Sequence, residues 1–221
     1  MKKKTKNEKI QDLIRVENFI DYDKGIEVEK ETFKKVMFFY SIAIQELETK
    51  IKILKDEFKI LYEYDLIDHI NSRVKTPESI MNKMQKRNIE TTYKNMIENI
   101  NDIAGIRIVC PLQNDVFSVR DLITKFPGIK ILKEKDYITH PKKSGYSSYH
   151  MIVEVPITLS KQNIYVKVEI QIRTIAMDFW ATLEHKMKYK PQRELDNKKA
   201  KEWVNCAKIV NKLDHKMMLL N

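Results

Sequence analysis

The sequence predicts an α+β domain, a mixed β-sheet flanked by helices with helical extensions at both ends. Three observations predict it. Val166, Val168, Ile170 and Ile172 alternate with Lys167, Glu169, Gln171 and Arg173, the period of two of a strand with one core face and one polar face. Ile103–Cys110 is a second apolar run and reads as a buried strand. Helix-period patterns precede, separate and follow these strands, the longest running from Phe33 to Leu61.

Residues 1–28 are a polar, lysine-rich segment, read as a loosely held helix or a mobile tail, and residues 29–221 form the domain with its flanking helices. Phe33, Met37, Tyr40, Ile44, Leu47, Ile51, Leu54, Phe58 and Leu61 alternate steps of four and three. That heptad-type stripe is either an oligomer seam or a long helix lying across its own domain. A short helix follows Arg73-Val74-Lys75, with Thr76 as N-cap and Pro77 at the first helical position. Its spacing puts Ser79, Lys83 and Lys86 on one face and Ile80, Met81 and Met84 on the other.

Residues 89–101 read as a further helix or a connector. Residues 114–126 form an amphipathic helix through Val116, Val119, Leu122 and Ile123, and Ile129–Leu132 a short strand. Ser144-Gly145 marks a turn, after which Tyr149–Val155 alternates and Pro156 ends the strand. A helix from about Ile175 to Tyr189 places Ala176, Trp180, Leu183 and Met187 on one face. A last helix, about 193–218, turns Trp203, Ala207, Val210 and Met217 inward.

The net charge of +10 favours anionic partners such as nucleic acid, a membrane surface or nucleotides. Four glycines, at 25, 105, 128 and 145, are too widely spaced for G-x-G-x-x-G or a Walker A loop. Phosphates must therefore be held by side-chain cations and helix N-termini. No C-x-x-C or H-x-x-x-H zinc pattern occurs. No apolar run approaches the roughly 18 residues of a membrane-spanning helix. Cys110 and Cys206 are too few for a disulfide framework, and the basic N-terminus lacks the apolar stretch of a secretory signal. A reduced, cytoplasmic setting is expected.

Four clusters carry candidate chemistry. Arg73, Lys75, Ser79, Lys83, Lys86 and Arg87 gather cations at one helix face and its N-terminus, the arrangement phosphate oxygens need. Asp102 stands before the buried strand that carries Arg107, and a carboxylate there can share Mg²⁺ with substrate phosphates. In Lys142–His150 a turn sets Tyr146 at a strand entrance, where a ring can stack on a base, while Tyr149 points to the core. Glu169 and Gln171 lie on the polar strand face, and Asp178, Glu184 and His185 follow on the next helix, whose Phe179, Trp180 and Leu183 read as packing. A second carboxylate beside a basic pocket can bind metal or take a proton from a hydroxyl.

Together these stretches resemble the synthetase domain of the RelA/SpoT family, and within it the single-domain small alarmone synthetases. The matching text is RVKTPESIMNK at 73–83, DIAGIRIVC at 102–110, SGYSSYH at 144–150, VEIQIRT at 168–174 and MDFWATLEHK at 177–186. The likeness covers roughly residues 30–215. It implies a nucleotidyltransferase-like sheet of about five strands, with 29–221 as the alarmone synthetase domain. The implied activity is transfer of pyrophosphate from ATP to the ribose 3′-hydroxyl of GDP, GTP or GMP, giving ppGpp-type alarmones and AMP.

By motif, Arg73, Lys75, Ser79, Lys83 and Lys86 would hold the ATP phosphates, and Arg73 and Arg107 would flank the adenine. Asp102 and Glu169 would hold Mg²⁺, Glu169 alternatively activating the 3′-hydroxyl. Tyr146 would stack on guanine, with Lys135, Lys142, His150, Gln171 and Asp178 completing the acceptor site. A homotetramer is implied as well. Asp178 stands where Asn is frequent in the smaller enzymes, and Ser147 where a basic residue is. The His-Asp dipeptide of the family's hydrolase domain is absent, since Asp68-His69 and Asp214-His215 are in the reverse order. A synthetase without that hydrolase activity is expected. The other readings are a non-catalytic RNA- or nucleotide-binding module, or another nucleotidyl- or phosphotransferase. Nucleic acid is compatible with the charge but not required.

Overall fold

The computed structural model describes residues 14–15, 26–188 and 197–220. The strands are β1 Ile14–Arg15, β2 His69–Val74, β3 Ala104–Cys110, β4 Lys130–Asp136, β5 Tyr149–Thr158 and β6 Asn163–Thr174. The helices are α1 Ile26–Leu61, α2 Pro77–Lys86, α3 Tyr93–Asn99, α4 Gln113–Thr124, α5 Ile175–Lys188 and α6 Asn197–Leu219. Five strands run in the order β2-β3-β6-β5-β4, with β1 pairing β6 outside that path. β3 and β6 are parallel and the other pairs of the path antiparallel, so the sheet is mixed, as the sequence predicts. The tail predicted over 1–28 falls mainly outside the described residues, although α1 already begins at Ile26.

β6 lies at the centre. Val166, Val168, Ile170 and Ile172 are fully buried, while Lys167, Glu169 and Gln171 are half-buried on the opposite face. The apolar face packs in one core with Val36, Tyr40, Ala43, Leu47 and Ile51 of α1 and Val116, Val119 and Ile123 of α4. Each of these Val, Leu and Ile side chains contributes on the order of 1.5–3 kcal/mol on burial. The heptad-type stripe is thus used across the chain's own sheet: Tyr40, Ile44, Leu47, Ile51 and Leu54 are buried there. Leu61, its last member, is exposed.

Several local expectations shift. The strand after the 144–145 turn continues through Pro156 to Thr158. β4 pairing ends at Glu154↔Lys130, so Pro156 meets only Tyr165 of β6 and its missing N–H interrupts no second ladder. The strand begun near Ile129 extends to Asp136, with a register irregularity between Ile131 and Lys133. On α2, Ile80 and Met84 are buried but Met81 is half exposed. On α5 the buried side chains are Met177, Trp180 and Ala181, whereas Phe179 and Leu183 are exposed. On α6, Ala207 is buried and Met217 exposed. A two-helix face is narrower than the stripe the spacing drew, because α5 and α6 meet at one small cluster around Trp180, Ala181 and Ala207.

Candidate active site

The polar face of β6 is the floor of the site. Register places Gly105 and Arg107 of β3 beside Glu169 and Gln171, and Ile152 and His150 of β5 on the other side of the same pair. At Gly105 an added Cβ would meet only the Glu169 carbonyl oxygen, 3.9 Å away, so glycine here leaves open space above the sheet. Asp102 sits just before β3, as the sequence reading expects.

Two clefts share these residues. One, of about 220 Å³, is lined by Arg73, Asp102, Arg107, Glu169 and Gln171 together with Asn71 and Ser72. The other, of about 370 Å³, is lined by Lys83, Arg87, Lys133, Lys135, Lys142, Tyr137 and His150, by Glu134, and again by Asp102 and Glu169. The two acidic side chains predicted to converge therefore stand at the junction of both clefts.

Cations hold one oxygen of Asp102. Its Oδ2 is 2.5 Å from Lys83 Nζ and 3.1 Å from Lys75 Nζ. Burial works to raise the Asp102 pKa, but these two ammonium groups outweigh it and hold the carboxyl below the usual range. Oδ1 is buried without a hydrogen-bond partner among the described residues. A buried carboxylate oxygen left unsatisfied is costly unless something else meets it. Burial also raises the Glu169 pKa, and the Asp102 charge adds to that, yet His150 and Gln171 keep Glu169 below the ordinary range.

Glu169 belongs to a closed ring of side chains. Gln171 Nε2 donates to Glu169 Oε2 at 3.0 Å, and Arg173 Nη2 donates to Gln171 Oε1 at 2.8 Å. The same Nη2 donates to the Tyr146 hydroxyl at 2.7 Å, which lies 2.8 Å from His150 Nε2. His150 Nδ1 completes the ring 3.5 Å from Glu169 Oε1. The phenol oxygen accepts from Arg173 and lies within hydrogen-bond distance of Nε2, while Nδ1 is the ring nitrogen that faces Glu169. Beneath the ring, Asp178 Oδ1 lies 3.1 Å from Arg173 Nη1 and 3.3 Å from Arg107 Nη1. Burial lowers the Arg107 pKa, as do the charges of Arg173 and Arg73, with Asp178 opposing them.

The structure thus brings Arg73, Lys83, Asp102, Arg107, Lys135, Lys142, His150, Glu169 and Gln171 to the two clefts and ties Lys75 to Asp102. Ser79 and Lys86 are exposed on α2 and line neither cleft; Ser79 Oγ accepts from the Thr76 hydroxyl at the helix start. Tyr146 and Asp178 act from behind the cleft walls through Arg173. Glu184 and His185 line neither cleft. Lys167, on the same polar strand face, is drawn away to the carbonyls of Ile97 and Glu98 at the end of α3.

Sequence reasoning missed Tyr137, Lys133 and the hub role of Arg173. Arg173 was legible in the strand alternation. Tyr137 follows β4 and meets Tyr146 and His150 edge-on at 6.2 and 5.3 Å, a contact that no local spacing announces.

Among the described residues no group of three or more His, Cys, Asp or Glu side chains can hold a metal ion. Two carboxylates with substrate phosphates are nevertheless a usual Mg²⁺ environment. The unpartnered Asp102 Oδ1 and the ionised Glu169 fit it.

The model of the region found in RelA / SpoT proteins matches residues 72–194. The chain is 43% identical over 188 residues to GTP pyrophosphokinase YwaC of Bacillus subtilis (strain 168), covering 85% of this chain and 90% of that protein. It is 33% identical over 178 residues to GTP pyrophosphokinase YjbM of the same organism, covering 80% and 83%. Among solved structures, small alarmone synthetase 1 from Bacillus subtilis bound to its product pppGpp is similar with a TM-score of 0.79 at 31% identity, over 86% of this chain and 96% of that one. Small alarmone synthetase 2 from the same organism gives 0.77 at 40% identity, over 85% and 97%. The matched region runs from within β2 to past α5 and holds Asp102, Glu169 and every residue named for the two clefts except Asn71; the chain belongs to the RelA/SpoT family.

Proposed function

We propose that the chain transfers pyrophosphate from ATP to the ribose 3′-hydroxyl of a guanine nucleotide, releasing AMP and a (p)ppGpp-type alarmone. The observation that carries this reading is one pair of carboxylates, Asp102 and Glu169, common to two cation-lined clefts. A reaction between two nucleotides needs two anion sites meeting at one reacting centre. Carboxylates inside an anion-binding cleft are otherwise repulsive, which disfavours a non-catalytic RNA-binding module.

ATP takes the smaller cleft, its adenine against the guanidinium planes of Arg73 and Arg107. Lys75 and Lys83, both held at Asp102 where the two clefts meet, take its phosphates, whereas Ser79 and Lys86 lie exposed on α2 outside both clefts. The guanine nucleotide takes the larger cleft, with Lys135 and Lys142 on its phosphates and Tyr137 beside its base, backed by Tyr146. His150, Gln171 and Asp178 hold the acceptor wall in place. The 3′-oxygen attacks the β-phosphorus, the bond from that phosphorus to the α–β bridging oxygen breaks, and AMP leaves. Glu169, ionised at neutral pH, orients the 3′-hydroxyl and receives its proton. Mg²⁺, when held by Asp102 and Glu169, would neutralise charge developing on the phosphates.

Thin-layer chromatography of labelled ATP with GMP, GDP or GTP and Mg²⁺ tests this. AMP with a 3′-pyrophosphorylated nucleotide is expected. ADP as coproduct, or no product with any acceptor, contradicts it. Glu169→Gln should keep nucleotide binding and lose transfer by about 10²-fold or more.

The same reading carries a cytoplasmic homotetramer. No described helix is long and apolar enough to cross a membrane. Ile175, Phe179 and Leu183 on α5, and Ile209, Leu213 and Met217 on α6, remain exposed at helical spacing and offer surface to further copies. A monomer by light scattering would contradict the tetramer.

A further inference from the structure

The register of β2, β3 and β6 sets the smaller cleft out in rows. Asn71 is level with Arg107 and Gln171, and Arg73 is level with Gly105 and Glu169. All six residues line that cleft. Beyond Arg73 the Lys75 N–H donates to the Ile103 carbonyl at 2.8 Å, and Lys75 and Lys83 hold Asp102. The groups suited to phosphates therefore stand at one end of the cleft and Asn71 at the other. Four residues along the chain separate Asn71 from Lys75, about 13 Å in a strand. That leaves room for a ribose between a base at Asn71 and phosphates at Lys75.

Most polar side chains of this cleft are already committed. Ser72 Oγ donates to Glu48 Oε2 of α1 at 2.7 Å, on the other face of β2. Arg107 Nη1 lies 3.3 Å from Asp178 Oδ1. Of the two carboxamides lining the cleft, Gln171 is used at both ends, its Nε2 donating to Glu169 and its Oε1 accepting from Arg173. The other is Asn71, which is exposed and whose side chain makes no hydrogen bond among the described residues. β2 is an edge strand laddered to β3 from His69 to Val74, so the sheet fixes where this amide stands.

The guanidinium planes of Arg73 and Arg107 can cover the faces of a base, but every base has such a face, so stacking does not tell adenine from guanine. The N7 edge does. Adenine puts a 6-amino donor beside the N7 acceptor there, whereas guanine puts two acceptors. A carboxamide offers an acceptor and a donor side by side and matches adenine alone on that edge.

Resting on the transfer reaction proposed above, we infer that Asn71 is a specificity-determining residue that selects adenine in the pyrophosphate donor. Its Oδ1 accepts from the 6-amino group and its Nδ2 donates to N7. Arg73 and Arg107 hold the base, and Asn71 reads it.

The experiment compares two donors, ATP and 7-deazapurine riboside 5′-triphosphate, at saturating GDP in wild type and Asn71→Val. The analogue keeps the stacking face and the triphosphate but lacks both N7 and the 6-amino group. Valine suits a strand and can neither donate nor accept. In wild type, KM should be about tenfold lower for ATP than for the analogue. Asn71→Val should raise KM for ATP about tenfold, leave KM for the analogue within about twofold, and leave kcat unchanged for both. An equal rise for both donors, no change for either, or a wild type that uses both donors alike overturns the role of Asn71. Absence of AMP production by wild type with any acceptor would instead strike the transfer reaction, and calorimetric Kd values for the two donors then make the same comparison for Asn71.

Discussion

The Nη2 atom of Arg173 lies 2.7 Å from the phenolic oxygen of Tyr146. Since the same nitrogen holds Gln171, and Gln171 holds Glu169, one guanidinium ties the Tyr146 ring behind the larger cleft to the Glu169 carboxylate within it. Arg173 is itself 5% exposed and fixed by Asp178, so it has no freedom to follow a ligand.

Arg173→Met should therefore lower kcat and raise acceptor KM, each by about tenfold, because a hydrogen bond to a charged group typically stabilises by about 1.5–3 kcal/mol. ATP KM should change little. Steady-state kinetics with the two substrates varied in turn checks this, and thermal melting separates it from simple unfolding. Equal rises in both KM values with kcat unchanged would contradict it.

Gly145 has φ +88°, and a Cβ placed there would lie 2.3 Å from the Ala207 Cβ of α6. Gly145→Ala must push α6 from the turn that carries Tyr146, since the obstruction is a short side chain on a helix that cannot rotate aside. A loss of about 1–3 kcal/mol is expected in chemical denaturation, with a raised acceptor KM. Ala207→Gly should relieve the contact, although not the positive φ, and so restore part of both.

The pH dependence of stability has two opposing parts. Asp102 and Glu169 have folded pKa values below their ordinary 3.8 and 4.5. Their contribution is complete above those values and is lost as pH falls through the lower folded values. Asp214 is raised above its ordinary 3.8, first by burial, although Gln113 and Thr174 donate to it at 3.0 and 2.9 Å. Its protonated form is favoured in the fold, so its ionisation costs stability as pH rises through the raised value. Asp214→Asn keeps an oxygen for both donors and removes the charge. Its Tm should exceed wild type at neutral pH, with the difference shrinking as pH is lowered through the carboxylate range. A lower Tm at neutral pH would contradict this.

The parts of the site legible in the sequence were those governed by local period. Alternation at 166–173 identified the floor of the site, and the Thr76-Pro77 start placed α2, where Thr76 Oγ1 accepts from the Ser79 N–H as an N-cap should. What failed depended on neighbours. Pro156 looked like a stop because its missing N–H was weighed without knowing that β4 had already ended beside it. Met217 and Leu183 looked buried because helical spacing draws a stripe whose width only the partner helix decides. The register irregularity between Ile131 and Lys133 has no glycine to mark it, so the lysines of β4 could not be assigned a face. The stripe on α1 admitted two readings because an oligomer seam and a sheet-facing helix ask for the same spacing.

The central claim is that Asp102 and Glu169 share one divalent ion where the two nucleotide clefts meet. Mn²⁺ titration followed by electron paramagnetic resonance, with a non-hydrolysable ATP analogue bound, measures it most directly. Wild type should bind one ion per chain in the nucleotide complex. Asp102→Asn and Glu169→Gln should each weaken that ion by about tenfold or more, and the double variant should weaken it by less than the product of the two. Unchanged Mn²⁺ affinity in either single variant would contradict the shared site.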